Sequence, residues 1–411
     1  MNVQTVYQLL LNKQKVREEG FTLSGINVVG EITQIKIGWD RGNGQAKLAS
    51  SRIDGTIVTR EVPNVYRSAE EVRAGERVTT YGLATKLSDG SWSSFGQPYW
   101  IGEEAFVGGQ SLQIGSTDLR LTDVRQIEFD LAVCVQFLRA LGLKPGSYNI
   151  VSTFALPNNE IILPKPGEKN IGILPATRKS LKTHYFNKWY KVQEKDKDGH
   201  SHEWVLYFDK FGTQSQTMGS FIMYTRSPSG KEQTYGLTEL NVYDLGFGDT
   251  QVTQFTLRPK YRMVARRLGD GMRRVAEGLV KRVQSEISQQ GRVNQSRLNI
   301  AKAQMIVRTK KIISKGKEQD ISKVVAEVTE REGANLAGEI LEDLRTTSAY
   351  CVFVGGATKD KGIREMIERH ANHIWGDEAE ETYHIIDESL ASEANAIGAF
   401  LTTAWHFAAQ G

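Results

Sequence analysis

The chain has 411 residues, too long for one ordinary domain, so two domains of about 150–200 residues are expected. Apolar residues make up 39% and charged residues 24%, a balance that excludes a disordered chain and supplies two cores. Lys and Arg (52) barely exceed Asp and Glu (48); the net charge of +4 gives no support for direct nucleic-acid binding, and no window is apolar enough to span a membrane.

Residues 1–30 read as an extension. Val6, Leu9 and Leu10 have helical spacing, and the expectation is an amphipathic helix packed on its own domain rather than on a neighbouring subunit. Three strands follow, Ile32 to Trp39, Gln45 to Ser51 and Gly55 to Val62, joined by short glycine-containing turns. Residues 64–100 look like a smaller excursion that returns at Tyr99. Val124, Ile127, Leu131, Val135, Leu138 and Leu141 predict a long helix, with Gly142 placed as its C-cap, and the apolar run from Asn149 to Leu156 predicts a strand.

Trp189–Val192 and Trp204–Phe208 flank Lys197-Asp198-Gly199, the pattern of a hairpin with an Asp-Gly turn. His184, His200 and His202 lie around it; no metal is assigned, because two histidines in a lysine-rich turn are usually solvated. Residues 260–345 read as helical, with Arg262, Arg266, Arg267, Arg273 and Arg274 on a solvated helix face. Tyr350 to Val354 is a buried strand entering the glycine turn Gly355-Gly356-Ala357, a helix begins near Ile363, and a small-residue helix from Glu393 closes the chain. Cys134 and Cys351 sit in apolar runs as core thiols, with no disulfide framework, which makes the cytoplasm the default compartment.

One device occurs twice. Asp40-Arg41-Gly42-Asn43-Gly44 follows the strand ending in Trp39, and Asp244-Leu245-Gly246-Phe247-Gly248 follows the apolar run from Leu240. Glycines let backbone N–H groups close around phosphate oxygens, and an aspartate at the strand end can hold magnesium through its water shell. Two such turns half a chain apart suggest a nucleotide held between two similar domains.

The order and spacing of these turns, with Val354-Gly355-Gly356-Ala357 and the closing Ala394-Asn395-Ala396-Ile397-Gly398 helix, resemble the actin-like ATPase superfamily, and within it the bacterial and plasmid actin-like proteins of the ParM type. Tyr99-Trp100-Ile101-Gly102-Glu103-Glu104-Ala105 and the passage ending in Leu156-Pro157 are similar to further family segments. The resemblance implies an α/β, actin-like two-domain fold of duplicated ribonuclease-H-like domains with a nucleotide cleft between them. Domain I would run 31–237, with a small insertion at about 64–100, and be completed by the helix at 393–411. Domain II would run 238–392, with a helical subdomain at 260–345.

By the same resemblance, Asp40 and Asp244 are the aspartates that contact magnesium through water. Gly42, Asn43, Gly44 and Lys47 belong to the first phosphate loop, and Gly246, Gly248 and Thr250 to the second. Gly355, Gly356 and Ala357 lie beneath the base. The hydrolytic residue falls in Thr213 to Ser220, where either Gln216 or Gln214 orients the water. Asp249 stands where the family shows Ser or Thr, and a carboxylate there is unfavourable unless it faces away or sits on the metal. The implied function is magnesium-dependent hydrolysis of ATP or GTP coupled to polar filaments that segregate plasmid or phage DNA through a DNA-bound adaptor protein. The alternatives are a small-molecule kinase, for which Asp130 and Glu160 are the nearest carboxylate bases, and a chaperone-like or reactivating ATPase.

Overall fold

The structure, a computed structural model, describes residues 4–42, 44–68, 77–106, 112–113, 124–162, 172–234, 236–258, 261–289, 300–314 and 317–407. The chain divides into two compact units, Met1–Gly236 with Glu393–Gly411, and Leu237–Ser392.

In the first unit α1 (Val6–Leu11) opens with a capping box in which Thr5 and Gln8 satisfy each other's backbone amides. Its Val6, Tyr7 and Leu9 are buried against the unit itself, with Tyr7 5.0 Å from the ring of Tyr224, as the packed-helix expectation held. Then come β1 (Ile26–Val29), β2 (Ile32–Arg41), β3 (Gln45–Ser51) and β4 (Ile57–Pro63), an antiparallel series. The excursion contributes β5 (Val65–Ser68), β6 (Thr80–Thr85), β7 (Tyr99–Ile101) and β8 (Leu112–Gln113). Helix α2 (Val124–Ala140) stops where Gly142 takes φ +87°, and Leu143 N donates to Leu138 O at 3.0 Å. After it run β9 (Ser147–Leu156), α3 (Pro175–Tyr185), β10 (Lys188–Lys195), β11 (Ser201–Ser215) and α4 (Gln216–Thr225). These strands form one sheet in the order β8-β5-β7-β6-β10-β11-β9-β2-β3-β4, with β1 pairing the start of β2. Only β9 pairs parallel, to β2 on one side and to β11 on the other. The helix Ala394–His406 returns to this unit and lies across β2 and α4.

The second unit contains β12 (Glu239–Leu245), β13 (Thr250–Thr256), β14 (Arg262–Gly269), α5 (Arg273–Gln289), α6 (Ile300–Thr309), α7 (Ser322–Leu344), β15 (Tyr350–Val354), α8 (Lys361–Trp375) and β16 (Tyr383–Ile385). Its sheet has the order β14-β13-β12-β15-β16, with β15 parallel to both neighbours. The order β4-β3-β2-β9-β11 in the first unit repeats this arrangement: an antiparallel meander followed by two parallel strands. The core of the second unit joins Tyr243, Val252 and Phe353 of the sheet to Leu279, Ile306, Ile340 and Ile367 of the helices.

One expectation changes here. Residues 262–269 are a strand, not the start of a helical run. They form an edge strand whose outward arginines are solvated and whose Met263 is buried, so their sequence lacks a long apolar period in either register. The meander needs this third strand to cover β13.

Candidate functional site

In the first unit, strand alternation sets Asp40 and Arg41 on opposite faces of β2. Asp40 is 1% exposed. Gln216 Nε2 donates to its Oδ1 at 2.6 Å, and Lys47 Nζ lies 3.2 Å from its Oδ2. Lys47 reaches it because β2 and β3 pair Asp40 directly opposite Lys47. Gln216 reaches it because β11 breaks into α4 at Ser215, whose hydroxyl caps the helix by accepting from Met218 N at 3.1 Å. The strand-to-helix break also separates the two glutamine candidates: Gln214 accepts from Thr402 Oγ1 at 2.7 Å, on the closing helix. Asn64 secures the first glycine turn, donating from Nδ2 to Gly42 O at 2.6 Å and from its backbone N to Gly44 O at 3.1 Å. Sequence reasoning passed over Asn64; its only signal was its place just after Pro63 at the end of β4. Asn43 lies outside the described residues.

In the second unit Asp244 is 7% exposed near the end of β12, and the turn after it folds tightly. Gly246 N donates to Asp249 O at 3.0 Å, and the first residues of the helical segment behind it, Met272 and Arg273, donate to Gly246 O and Phe247 O. Gln251 Nε2 donates to Asp249 Oδ2 at 2.9 Å, which holds that carboxylate along β13. Thr250 is fully buried, and its Oγ1 has no hydrogen-bond partner among the described residues. Gly248 lies within this same turn, between the two strands. At the end of β15, Gly355 has φ +97°, and a Cβ there would lie 2.5 Å from Asp244 Oδ1 and 2.7 Å from Leu245 N. No other residue fits. The loop is tied down by Gly355 N donating to Ala391 O at 2.8 Å and by Arg364 Nη1 donating to Thr358 O and Ile386 O. A Cβ on Gly356 would meet open space, whereas Ala357 is buried.

Two other groups of sequence candidates resolve simply. Four of the five arginines are matched by acids, Arg266 with Asp343, Arg267 with Asp270, Arg273 with Glu277 and Arg274 with Glu339, and Arg262 is exposed at the start of β14. At the hairpin tip, Asp196 Oδ2 lies 3.4 Å from both His200 Nδ1 and His202 Nε2, and its other oxygen accepts from the amides of Asp198 and His200. The two thiols are core groups; burial pushes Cys351 up to about 12 and Cys134 well above its usual range.

No protein-family model matches the sequence, and no curated protein does. Solved structures do match in fold. The crystal structure of Ta0583, an archaeal actin homologue, superposes with a TM-score of 0.58 at 17% identity, covering 90% of this chain and 99% of that one. A non-polymerisable quadruple mutant of pCBH ParM gives 0.59 at 17% identity, covering 91% and 99%. Bacillus thuringiensis ParM with ATP gives 0.58 at 9% identity, again covering 91% and 99%. The chain has the actin-like two-domain fold, shared with ParM proteins and archaeal actin homologues. Among the described residues no helix is long and apolar enough to cross a membrane.

Proposed function

We propose that this chain binds ATP with magnesium, hydrolyses it, and assembles head to tail into a polar filament. The observation that carries the reading is the group around Asp40: a strand-end carboxylate beside a glycine turn, with Gln216 on one oxygen and Lys47 at the other. Phosphoryl transfer asks mainly for positioning and charge neutralisation, and this donor set supplies both. Gln216 is the water-positioning residue. Lys47, Gly42, Asn43 and Gly44 take phosphate in the first unit. In the second unit Gly246, Gly248 and Thr250 do the same, and the orphan Thr250 hydroxyl suits an oxyanion. Gly355, Gly356 and Ala357 lie beneath the base.

Asp40 and Asp244 offer only hard oxygen ligands, which fit magnesium held through its water shell. When bound, that ion would neutralise charge building on the phosphates. ATP is preferred over GTP because solved neighbours include ParM with AMPPNP and Ta0583 with ADP. The cargo we infer is plasmid or phage DNA, engaged in the cytoplasm through an adaptor protein rather than directly.

The kinase alternative loses Asp130, one of its two candidate bases. Asp130 is fully buried, and its carboxylate accepts from Gln126, Arg41 and Tyr185, so no acceptor hydroxyl can reach it. The test is light scattering of the purified chain on adding magnesium-ATP, with phosphate release followed in parallel and Asp244→Ala as control. A rise that decays as phosphate appears is expected, with no rise in Asp244→Ala. Phosphate release without scattering removes the filament; neither signal removes the nucleotide site.

A further inference from the structure

The same three side-chain types meet behind both phosphate turns, although the two sequences do not repeat. In the first unit Asp130, on α2, is fully buried and accepts from Arg41 and from the Tyr185 hydroxyl, with Gln126 Nε2 donating at 2.9 Å. The Arg41 guanidinium also stands 5.5 Å from the Tyr185 ring centre. In the second unit Asp343, on α7, is 6% exposed, accepts from the Tyr243 hydroxyl at 2.6 Å and pairs with Arg266.

The strand's contribution is exchanged between the units. β2 supplies the arginine and α3 the tyrosine; β12 supplies the tyrosine and β14 the arginine. In each unit the residue gripped is the chain neighbour of the phosphate-turn aspartate. Arg41 follows Asp40, and Tyr243 precedes Asp244.

That adjacency has a mechanical consequence. Neighbouring strand residues point to opposite faces and are spaced about 3.3 Å along the strand. Anchoring one residue on a helix therefore fixes the peptide that carries the carboxylate on the opposite face of the strand. In the first unit the Arg41–Asp130 ion pair is buried, which is weak evidence for stability because apolar residues of the same volume often serve as well. In the second unit Arg266 is half exposed, and the buried bond is the one from Tyr243 to Asp343. What recurs is a buried helix aspartate bound to the chain neighbour of the phosphate-turn aspartate, through Arg41 in one unit and Tyr243 in the other.

We propose that Asp130 and Asp343 are positioning residues, each aiming one phosphate-turn aspartate, Asp40 or Asp244, at the magnesium waters. The proposal rests on the nucleotide-binding reading above. Tyr185 and Tyr243 are the second anchors of the two locks, and neither needs to touch nucleotide.

The test uses the full chain and a fluorescent ATP analogue, titrated with magnesium and also in EDTA. Tyr243→Phe and Tyr185→Phe each remove one hydroxyl from a lock. Each is expected to raise the magnesium concentration for half-maximal nucleotide binding about fivefold, the effect of one lost hydrogen bond, while affinity in EDTA stays within about twofold. Asp343→Asn should shift the magnesium midpoint further; if it does not fold, the two phenylalanine variants carry the test. A lowered melting temperature with an unchanged magnesium midpoint would mean a merely structural role and overturns the proposal. Equal losses with and without magnesium overturn it too. Wild type binding nucleotide in a magnesium-dependent way while the variants match it defeats this inference alone; wild type showing no such binding defeats the nucleotide reading as well.

Discussion

Gln216 and Gln214 are two residues apart and face different surroundings. The first donates to Asp40, and the second accepts from Thr402 in the closing helix. Gln216→Ala is therefore expected to slow phosphate release about 100-fold, the usual effect of removing one oriented polar group, with nucleotide affinity retained. Gln214→Ala should act mainly on stability. Single-turnover phosphate release together with nucleotide titration separates them, and equal kinetic losses would remove Gln216 from its role. His384 on β16 gives a pH prediction. Burial, helped by the Arg364 charge, holds its imidazole below the ordinary histidine range. The unfolded chain takes up a proton near pH 6.5, whereas the folded unit resists until lower pH. Stability is thus full above about pH 7 and falls as pH drops through 6.5 toward the folded value. His384→Asn should flatten that slope, read as urea midpoints at pH 7.5 and 5.5. Parallel slopes in the two proteins would exclude His384 as the titrating group.

At the scale of elements, the first half-site depends on how α4 crosses the closing helix. A Cβ on Gly398 would lie 1.8 Å from Gly219 O, and one on Gly219 would lie 2.4 Å from Asn395 O. The two helices touch backbone to backbone, and Ser220 Oγ donates to Asn395 Oδ1 at 2.5 Å. Because α4 begins with Gln216, this crossing sets the glutamine's distance from Asp40. Gly398→Ala has no room and is expected to cost about 3 kcal/mol of stability, as forced overpacking does. It should also slow phosphate release at temperatures where the protein remains folded. A variant with wild-type denaturation and wild-type turnover would show that the crossing can relax. The N-terminal helix packs on the other end of α4, with Val6 N donating to Arg226 O at 2.8 Å.

At the scale of the whole molecule, the prediction concerns assembly. A head-to-tail contact joins two different surfaces, does not close, and grows into a filament. Scattering with magnesium-ATP should therefore appear only above a threshold protein concentration and rise linearly beyond it. A signal proportional to concentration from zero would instead indicate a closed oligomer. The 52 basic and 48 acidic residues nearly balance, and Arg266, Arg267, Arg273 and Arg274 each pair with an acid.

The sequence by itself determined the duplicated strand, aspartate and glycine turn, the long helix capped at Gly142, the hairpin around Gly199 and the actin-like class. These are local patterns of period, turn chemistry and spacing, which residues close in the chain can specify. It misread residues 262–269, because a solvated edge strand has no long apolar period to announce it. Only the tertiary structure decided that Gln216, and not Gln214, meets Asp40, and that Asn64 pins the first turn. It likewise decided that Gln251 holds Asp249, and that Asp130 and Asp343 stand behind the two turns. The Asp130 and Asp343 contacts depend on helices packed against the sheets, and the Asn64 and Gln216 contacts on how distant strands pair. The Gln251–Asp249 bond, though it joins residues only two apart, depends on how the turn before β13 folds. Asp40 and Gln216 are 176 residues apart, and only the pairing of β9 with both β2 and β11 brings them to hydrogen-bonding distance.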